Sequence, residues 1–245
     1  MIFAAILPNT NLYGGVKRFH ELAAVLMQRG HEFVILTPEG KSANWFQPPV
    51  QTRPLSEIGK HSYDVVFITE FQFARELMAA QARVRVYYFV RASDSLEPLK
   101  KLPGVEVFAN STNVYEIARS KGVAAYKAFG GVNTKLYLPK QLSPKLPGEP
   151  IVIMTYGRLV ERKKGTHLVV KACERLKRKG YSVELLLFDT PVSEKARAKI
   201  DSFRCKVPFT FVTNHPVEKN LEIYHKADIF VAAEKNAGIS NTAAE

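Results

Sequence analysis

Three short segments carry residue types able to grip a charged ligand, and each lies where an apolar run gives way to a helical pattern. The first is Asn11-Leu12-Tyr13-Gly14-Gly15-Val16-Lys17. Paired glycines such as Gly14 and Gly15 let backbone N–H groups approach an anion closely, and a helix N-terminus adds about half a positive charge. Gly-Gly also makes ordinary turns, so this loop alone leaves both readings open. The G-x-G-x-x-G spacing of nicotinamide sites is absent, which speaks against a dehydrogenase. The second segment is Gly157-Arg158-Leu159-Val160-Glu161-Arg162-Lys163-Lys164-Gly165. Arginine offers a planar fork for phosphate oxygens and lysine a mobile point charge; a solvated basic loop is the plainer alternative. The third runs from Glu234 to the last residue, Glu245. Backbone N–H groups of Gly238, Ile239, Ser240, Asn241 and Thr242 can cradle a diphosphate there, and Glu245 can accept hydrogen bonds from ribose hydroxyls. The alternative is a helix cap made by Ser240 or Asn241.

These segments need elements to position them, and the apolar pattern supplies them. Apolar runs at 2–7, 33–37, 64–69, 83–90, 105–109 and 123–129 read as strands. Helical periods at 16–29 and 71–80 fall between them, and Ser111 caps another helix to about Lys121. Gly30 and Gly122 are helix stops. The stretch 138–150, with four prolines and no apolar period, breaks the rhythm and reads as a linker. Strands then recur at 151–156, 182–188, 209–213 and 228–232, with helices at 166–179, 193–203 and 217–226. Strands alternating with helices argue for parallel sheets covered on both faces. In such sheets ligands bind outside the carboxyl ends of the strands, which is where all three segments fall. The expected division is a first domain at 1–138, a linker at 139–149 and a second domain at 150–245. The second ends on a helix that has barely begun. The chain is therefore expected to be shorter than the fold it encodes, with an incomplete second domain.

Composition narrows the class. With 46% hydrophobic residues among 245, the chain can bury a core and is no disordered tail. Two cysteines, Cys173 and Cys205, make no disulfide scaffold and have no metal-ligand spacing. No two aspartates sit two apart, and no histidine pair has zinc spacing; His31 and His167 read as structural. No run reaches the ~18 apolar residues of a membrane span. The N-terminal eight residues lack the basic region and cleavage site of a signal peptide, so a cytoplasmic location is expected. The net charge of +12 favours anionic partners or is a solvated basic surface. The basic residues are spread over many helices with no nucleic-acid-binding motif, so no nucleic acid is expected as partner. Peripheral contact with an anionic membrane, at its inner face, suits the charge.

Taken in order, GGVKRFHELAAVLMQRGHEFVILTP, ANST, GVNTKLYLP, YGRLVERKKG and LEIYHKADIFVAAEKNAGISNTAAE resemble the successive motifs of retaining glycosyltransferases of family 4 (group 1), which have the two-Rossmann GT-B fold. The resemblance covers nearly the whole chain. It implies two doubly wound parallel-sheet α/β domains that close about the linker. It also implies metal-independent transfer of a sugar, with retention, from a nucleoside-diphosphate sugar to a glycan, lipid or small-molecule acceptor, with no cofactor besides that donor. By position, Gly14 and Gly15 would face the donor diphosphate. Arg158 with Lys164, or Lys163 in its place, would hold that diphosphate. Residues 238–242 would cradle sugar and phosphate, and Glu245 would contact the ribose as the second glutamate of an E-x7-E motif. Ala237 stands where that motif has its first glutamate, and Val90-Arg91 where such acceptor domains often have a strand-end histidine. The alternative reading is a truncated or non-catalytic nucleotide-binding protein on the same fold.

Overall fold

The computed structural model describes residues 1–141, 144–191, 193–235 and 240–245. Two compact units emerge, one over Met1–Gly131 and one over Val132–Lys235 with Ser240–Glu245. The division falls ahead of the boundary expected at 138, for a physical reason. Tyr137 stacks on Tyr224 with ring centroids 5.8 Å apart, and the Leu138 carbonyl lies 2.9 Å from Nε2 of His225, so 132–138 adheres to the second unit.

In the first unit the order is β1 (Ile2–Ile6), α1 (Gly14–Gln28), β2 (Glu32–Thr37), β3 (Gln51–Pro54), β4 (Ser62–Ile68), α2 (Ala74–Ala79), β5 (Gln81–Phe89), β6 (Val105–Ala109), α3 (Thr112–Ser120) and β7 (Tyr126–Lys127). The strands form one parallel sheet ordered β3-β2-β1-β4-β5-β6-β7. Alternation along each strand divides its apolar residues between two faces. Ala4, Ile6, Val34, Leu36, Val66 and Ile68 meet Leu77 of α2 and Val114 of α3. Ala5, Leu7, Phe33, Ile35, Phe67 and Val86 meet Val16, Phe19 and Ala23 of α1. Both faces being covered is why these strands read as unbroken apolar runs. Local signals fix the helix ends. Ser111 Oγ accepts from the Val114 N–H at 3.5 Å, and α1 ends at Arg29–Gly30, where Gly30 takes φ +77°.

The second unit repeats the plan with β8 (Ile151–Tyr156), α4 (Thr166–Arg178), β9 (Val183–Asp189), α5 (Glu194–Asp201), β10 (Phe209–Thr213), α6 (Asn220–Tyr224), β11 (Ile229–Phe230) and α7 (Asn241–Ala244). Its parallel sheet is ordered β10-β9-β8-β11. Ile153, Leu185 and Leu187 face Val169 and Cys173 of α4, while Met154 and Leu186 face Ile223 of α6.

Edges and short elements depart from the sequence reading. β3 has no counterpart among the expected strands: its Gln-Thr-Arg-Pro sequence lies at a sheet edge, which needs no apolar run. The run at 123–129 pairs only over Tyr126–Lys127 and the one at 228–232 only over Ile229–Phe230. The helix expected over 217–226 begins as a 3-10 turn, Val217–Lys219, before α6.

One device occurs in both units. Asp64, the third residue of β4, accepts the Ile2 N–H at 2.8 Å, and Asp228, just before β11, accepts the Val152 N–H at 2.8 Å. Each carboxylate thus ties the fourth strand of its unit to the start of the first. Lys140 and Lys145, from the proline-rich stretch, also reach Asp228 at 3.4 and 2.7 Å, fastening that stretch to the second unit.

Candidate functional site

In a doubly wound sheet the ligand crevice opens where successive connections leave in opposite directions. In the second unit that place is between β8 and β11, since β9 and β10 lie on the other side of β8. The described residues gathered at these carboxyl ends come from the ends of β8 and β9, the segment following β8, the residues following β11 and the start of α7.

Arg158 follows β8 by two residues and turns toward β9. Its Nε lies 2.9 Å from Oδ1 of Asp189, the last residue of β9, whose side chain is 3% exposed against 22% for the arginine. Nη1 is 3.7 Å from Oε1 of Glu161. Burial pushes the Asp189 carboxyl above its ordinary range, the Arg158 charge and the Thr190 N–H oppose the rise, and Glu161 adds to it. Asp189 thereby holds the guanidinium in one orientation through Nε. Among the described residues the Nη groups make no hydrogen bond, Nη1 standing only in the looser ion pair with Glu161.

Lys164 closes a 3-10 turn, Arg162–Lys164, and Gly165 follows with φ +73°. That glycine is obligatory twice over. Its φ is left-handed, and a Cβ would run into the Ala233 carbonyl behind β11. The resulting close approach is sealed by the Lys235 N–H donating to the Lys163 carbonyl at 2.8 Å. It brings Lys164 Nζ to 2.7 Å from Oε2 of Glu234, a carboxylate 7% exposed. The ammonium also lies 5.4 Å from the centre of the Tyr156 ring. An ammonium has three N–H donors, and Glu234 is the one acceptor recorded for it among the described residues. Lys163 instead extends outward, 73% exposed, 3.8 Å from Glu161. Of the two lysines, Lys164 is the one drawn in beside Glu234 and Tyr156, and Lys163 the one left at the surface.

Ser240 begins α7, its Oγ accepting the Ala243 N–H at 3.3 Å. This is the helix cap weighed from the sequence, and it coexists with a link to the site: the same Oγ is 2.7 Å from the Tyr156 hydroxyl. Asn241 and Thr242 open the helix. Glu245 follows it and accepts the Tyr224 hydroxyl at 2.6 Å; burial foremost, then this carboxylate, pushes the Tyr224 hydroxyl's pKa up. Gly238 and Ile239 lie outside the described residues.

Gly14 and Gly15 belong to the first unit. They start α1 beyond the carboxyl end of β1, at that sheet's own reversal between β1 and β4. The preceding loop is braced from behind: Trp45 Nε1 donates to the Thr10 carbonyl at 2.8 Å, and Thr10 Oγ1 to the Lys41 carbonyl at 3.0 Å. Trp45 in turn contacts His20, ring centroids 4.9 Å apart. His20 Nδ1 donates to the Val16 carbonyl at 2.9 Å, and burial lowers its pKa despite that bond. It is a neutral packing residue at pH 7. In the same unit a depression of about 400 Å³ opens at the carboxyl ends of β4 and β5, lined by Glu70, Phe71, Tyr87, Arg91 and Asp94. Arg91 Nε reaches Asp94 at 3.1 Å, and Phe71 stacks on Tyr87 at 4.1 Å.

Sequence reasoning singled out Arg158, Lys164, Ser240 and Glu245, and the structure groups them in one unit. It gave no role to Asp189 or Tyr156, and named Glu234 only as the start of the third segment. The available signal was a carboxylate or hydroxyl ending an apolar run, as in LLLFD and IVIMTY.

Residues 140–245 match the family model described as "Glycosyl transferases group 1". No curated protein sequence matches the chain. Among solved structures, the chain is similar to the catalytic domain of starch synthase IV from Arabidopsis thaliana bound to ADP and acarbose. The TM-score is 0.63 and the identity 10%, covering 98% of this chain and 79% of that one. It is similar to α,α-trehalose 6-phosphate synthase from Burkholderia multivorans, with a TM-score of 0.57, 12% identity and coverage of 100% and 80%. It is also similar to a putative UDP-N-acetylglucosamine 2-epimerase from Listeria monocytogenes, with a TM-score of 0.52, 13% identity and coverage of 94% and 73%. At these identities the likeness is one of fold, the two-Rossmann α/β architecture of GT-B glycosyltransferases, which also carries other chemistry.

Proposed function

We propose that this chain binds a nucleoside-diphosphate sugar in its second unit and transfers the sugar, with retention and without a metal, to a hydroxyl-bearing acceptor. The observation that carries the reading is that Arg158, held by Asp189, and Lys164, held by Glu234, both stand at the carboxyl ends of the second sheet's strands, within the segment matched by the group 1 family model. The difficult part of such a transfer is the charge that gathers on the departing diphosphate. Cations held in place before the reaction stabilise it without reorganising. Asp189 orients the Arg158 fork and Glu234 the Lys164 ammonium, so each cation is preset with donors left over for phosphate oxygens. In this reading the amides of residues 238–242 take phosphate oxygens and Glu245 the ribose, while Gly14 and Gly15 are a separate candidate anion contact of the first unit.

The acceptor, a glycan, lipid or small molecule, is assigned to the first unit's depression. Glu70, Arg91 and Asp94 there suit the hydroxyls of a polyol, and the Phe71 ring suits its C–H face. A cytoplasmic setting with peripheral contact to anionic lipid belongs to the same reading. Among the described residues no helix is long and apolar enough to cross a membrane. The test is consumption of UDP-, ADP- and GDP-sugars, read as released nucleoside diphosphate, with Arg158→Ala as control. Turnover abolished by the substitution supports transfer; absence of any nucleoside-diphosphate binding sinks it.

A second reading is a nucleotide-binding protein without turnover. It is favoured by Ala237, where the resembled motif has a glutamate. It predicts nucleotide-sugar binding in the same titration with no donor consumed.

A further inference from the structure

Tyr156 opens the segment YGRLVERKKG without a role of its own in the reading above, yet it joins Lys164, Glu234 and the start of α7. It ends β8, and its ring is enclosed by Phe188 of β9 at 5.7 Å and Phe230 of β11 at 5.4 Å. Those rings fix its plane. The Lys164 ammonium stands over that plane, 5.4 Å from its centre. The hydroxyl is 2.7 Å from Ser240 Oγ at the start of α7 and donates weakly to Glu234 Oε1 at 3.5 Å. The other oxygen of Glu234 holds Lys164 at 2.7 Å. Ser240, Glu234 and Lys164 come from three separate stretches of chain, and one phenol joins them.

We infer that Tyr156 is a positioning residue for the diphosphate: its ring face and its hydroxyl-bound neighbour Glu234 together fix where the Lys164 ammonium stands. The inference rests on the functional reading above and deepens it. A cation over an aromatic face is attracted by the ring quadrupole, and more so where water is thinned out. A carboxylate that also receives a phenol hydrogen bond loses rotational freedom. Lys164 is a long side chain with much rotamer freedom to lose, so holding it still before the ligand arrives lowers the cost of binding. Tyr156 itself needs no contact with the ligand.

The test separates positioning from simple structural support. Kd is measured by calorimetry or NMR titration for UDP, ADP and GDP, and for uridine, adenosine and guanosine, with wild type, Tyr156→Phe, Lys164→Gln and the double variant. Tyr156→Phe keeps the ring and removes the hydroxyl. The expected result is a loss of about five- to tenfold for the best-bound diphosphate, the scale of one hydrogen bond, with its nucleoside unchanged within about twofold. Lys164→Gln alone costs more, and adding Tyr156→Phe to it costs less than about twofold further, because the tyrosine acts through the lysine. Equal losses for nucleoside and diphosphate, or a full additional loss in the double variant, overturn the inference. A wild type that binds none of the three diphosphates overturns the functional reading instead, and this one with it.

Discussion

Arg158 and Asp189 form the most consequential residue pair in the second unit. The arginine's counter-ion is almost wholly buried, 3% exposed, so under the proposed function it serves binding and stability at once. Arg158→Ala leaves Asp189 without its partner and is expected to cost about 1–3 kcal/mol, besides diphosphate affinity. The pH dependence follows from the sign of the shift. Asp189's folded pKa is raised by burial, so the native state holds that proton more tightly than the unfolded chain. Its contribution falls as pH rises from the unfolded value of about 3.9. Without Arg158 the rise is steeper, so melting temperatures of Arg158→Ala should drop further below wild type at pH 7 than at pH 4. Arg158→Ala/Asp189→Asn should recover much of the stability at pH 7 and none of the binding. Calorimetric melts with a parallel nucleotide titration check both halves of this prediction.

Among the elements, the turn ending at Gly165 decides whether the site exists. A side chain there meets both a left-handed φ and the Ala233 backbone. Gly165→Ala is expected to destabilise by more than about 2 kcal/mol in urea unfolding, combining backbone strain with overpacking, and to separate Lys164 from Glu234. Asp228 offers a gentler test. Burial nudges its carboxyl up, while Lys145, the Val152 N–H and Lys140 outweigh that and hold its pKa below the usual range. The stabilisation is present above about pH 3.9 and lost as pH falls through the lowered value. Asp228→Asn should therefore flatten the acid limb of the stability curve, measured by melting between pH 2 and 6. The same elements show what the sequence could reveal. Central strands such as β1, β8 and β9 are buried on both faces and announce themselves as apolar runs. β3, β7 and β11 lie at sheet edges or pair over two residues, so their sequences carry little more than turn chemistry. The cations were legible because Arg158 and Lys164 sit in a short basic loop between glycines. Their counter-ions were not: Asp189 and Glu234 lie far along the chain, and only the parallel register of β8 with β9 and β11 brings them there.

At the scale of the molecule, charge is divided unequally between the two units. Residues 1–131 carry 15 basic and 11 acidic side chains, a net +4, and residues 132–245 carry 20 and 12, a net +8. The excess lies with the unit that holds Arg158 and Lys164, so diphosphate association should weaken with added salt more than contact between opposed ions alone would give. Both units use one plan, a parallel sheet with its reversal beside the first strand and an aspartate tying the fourth strand to it. The central claim is that the second unit grips a nucleoside diphosphate through Arg158 and Lys164. The most direct measurement is a calorimetric titration of UDP, ADP and GDP into wild type, Arg158→Ala, Lys164→Gln and, as a surface control, Arg83→Ala, whose side chain is 80% exposed. Saturable binding of at least one diphosphate, weakened about tenfold or more by either site substitution and untouched by Arg83→Ala, is the predicted result. Binding that is absent, or equal across all four proteins, contradicts it.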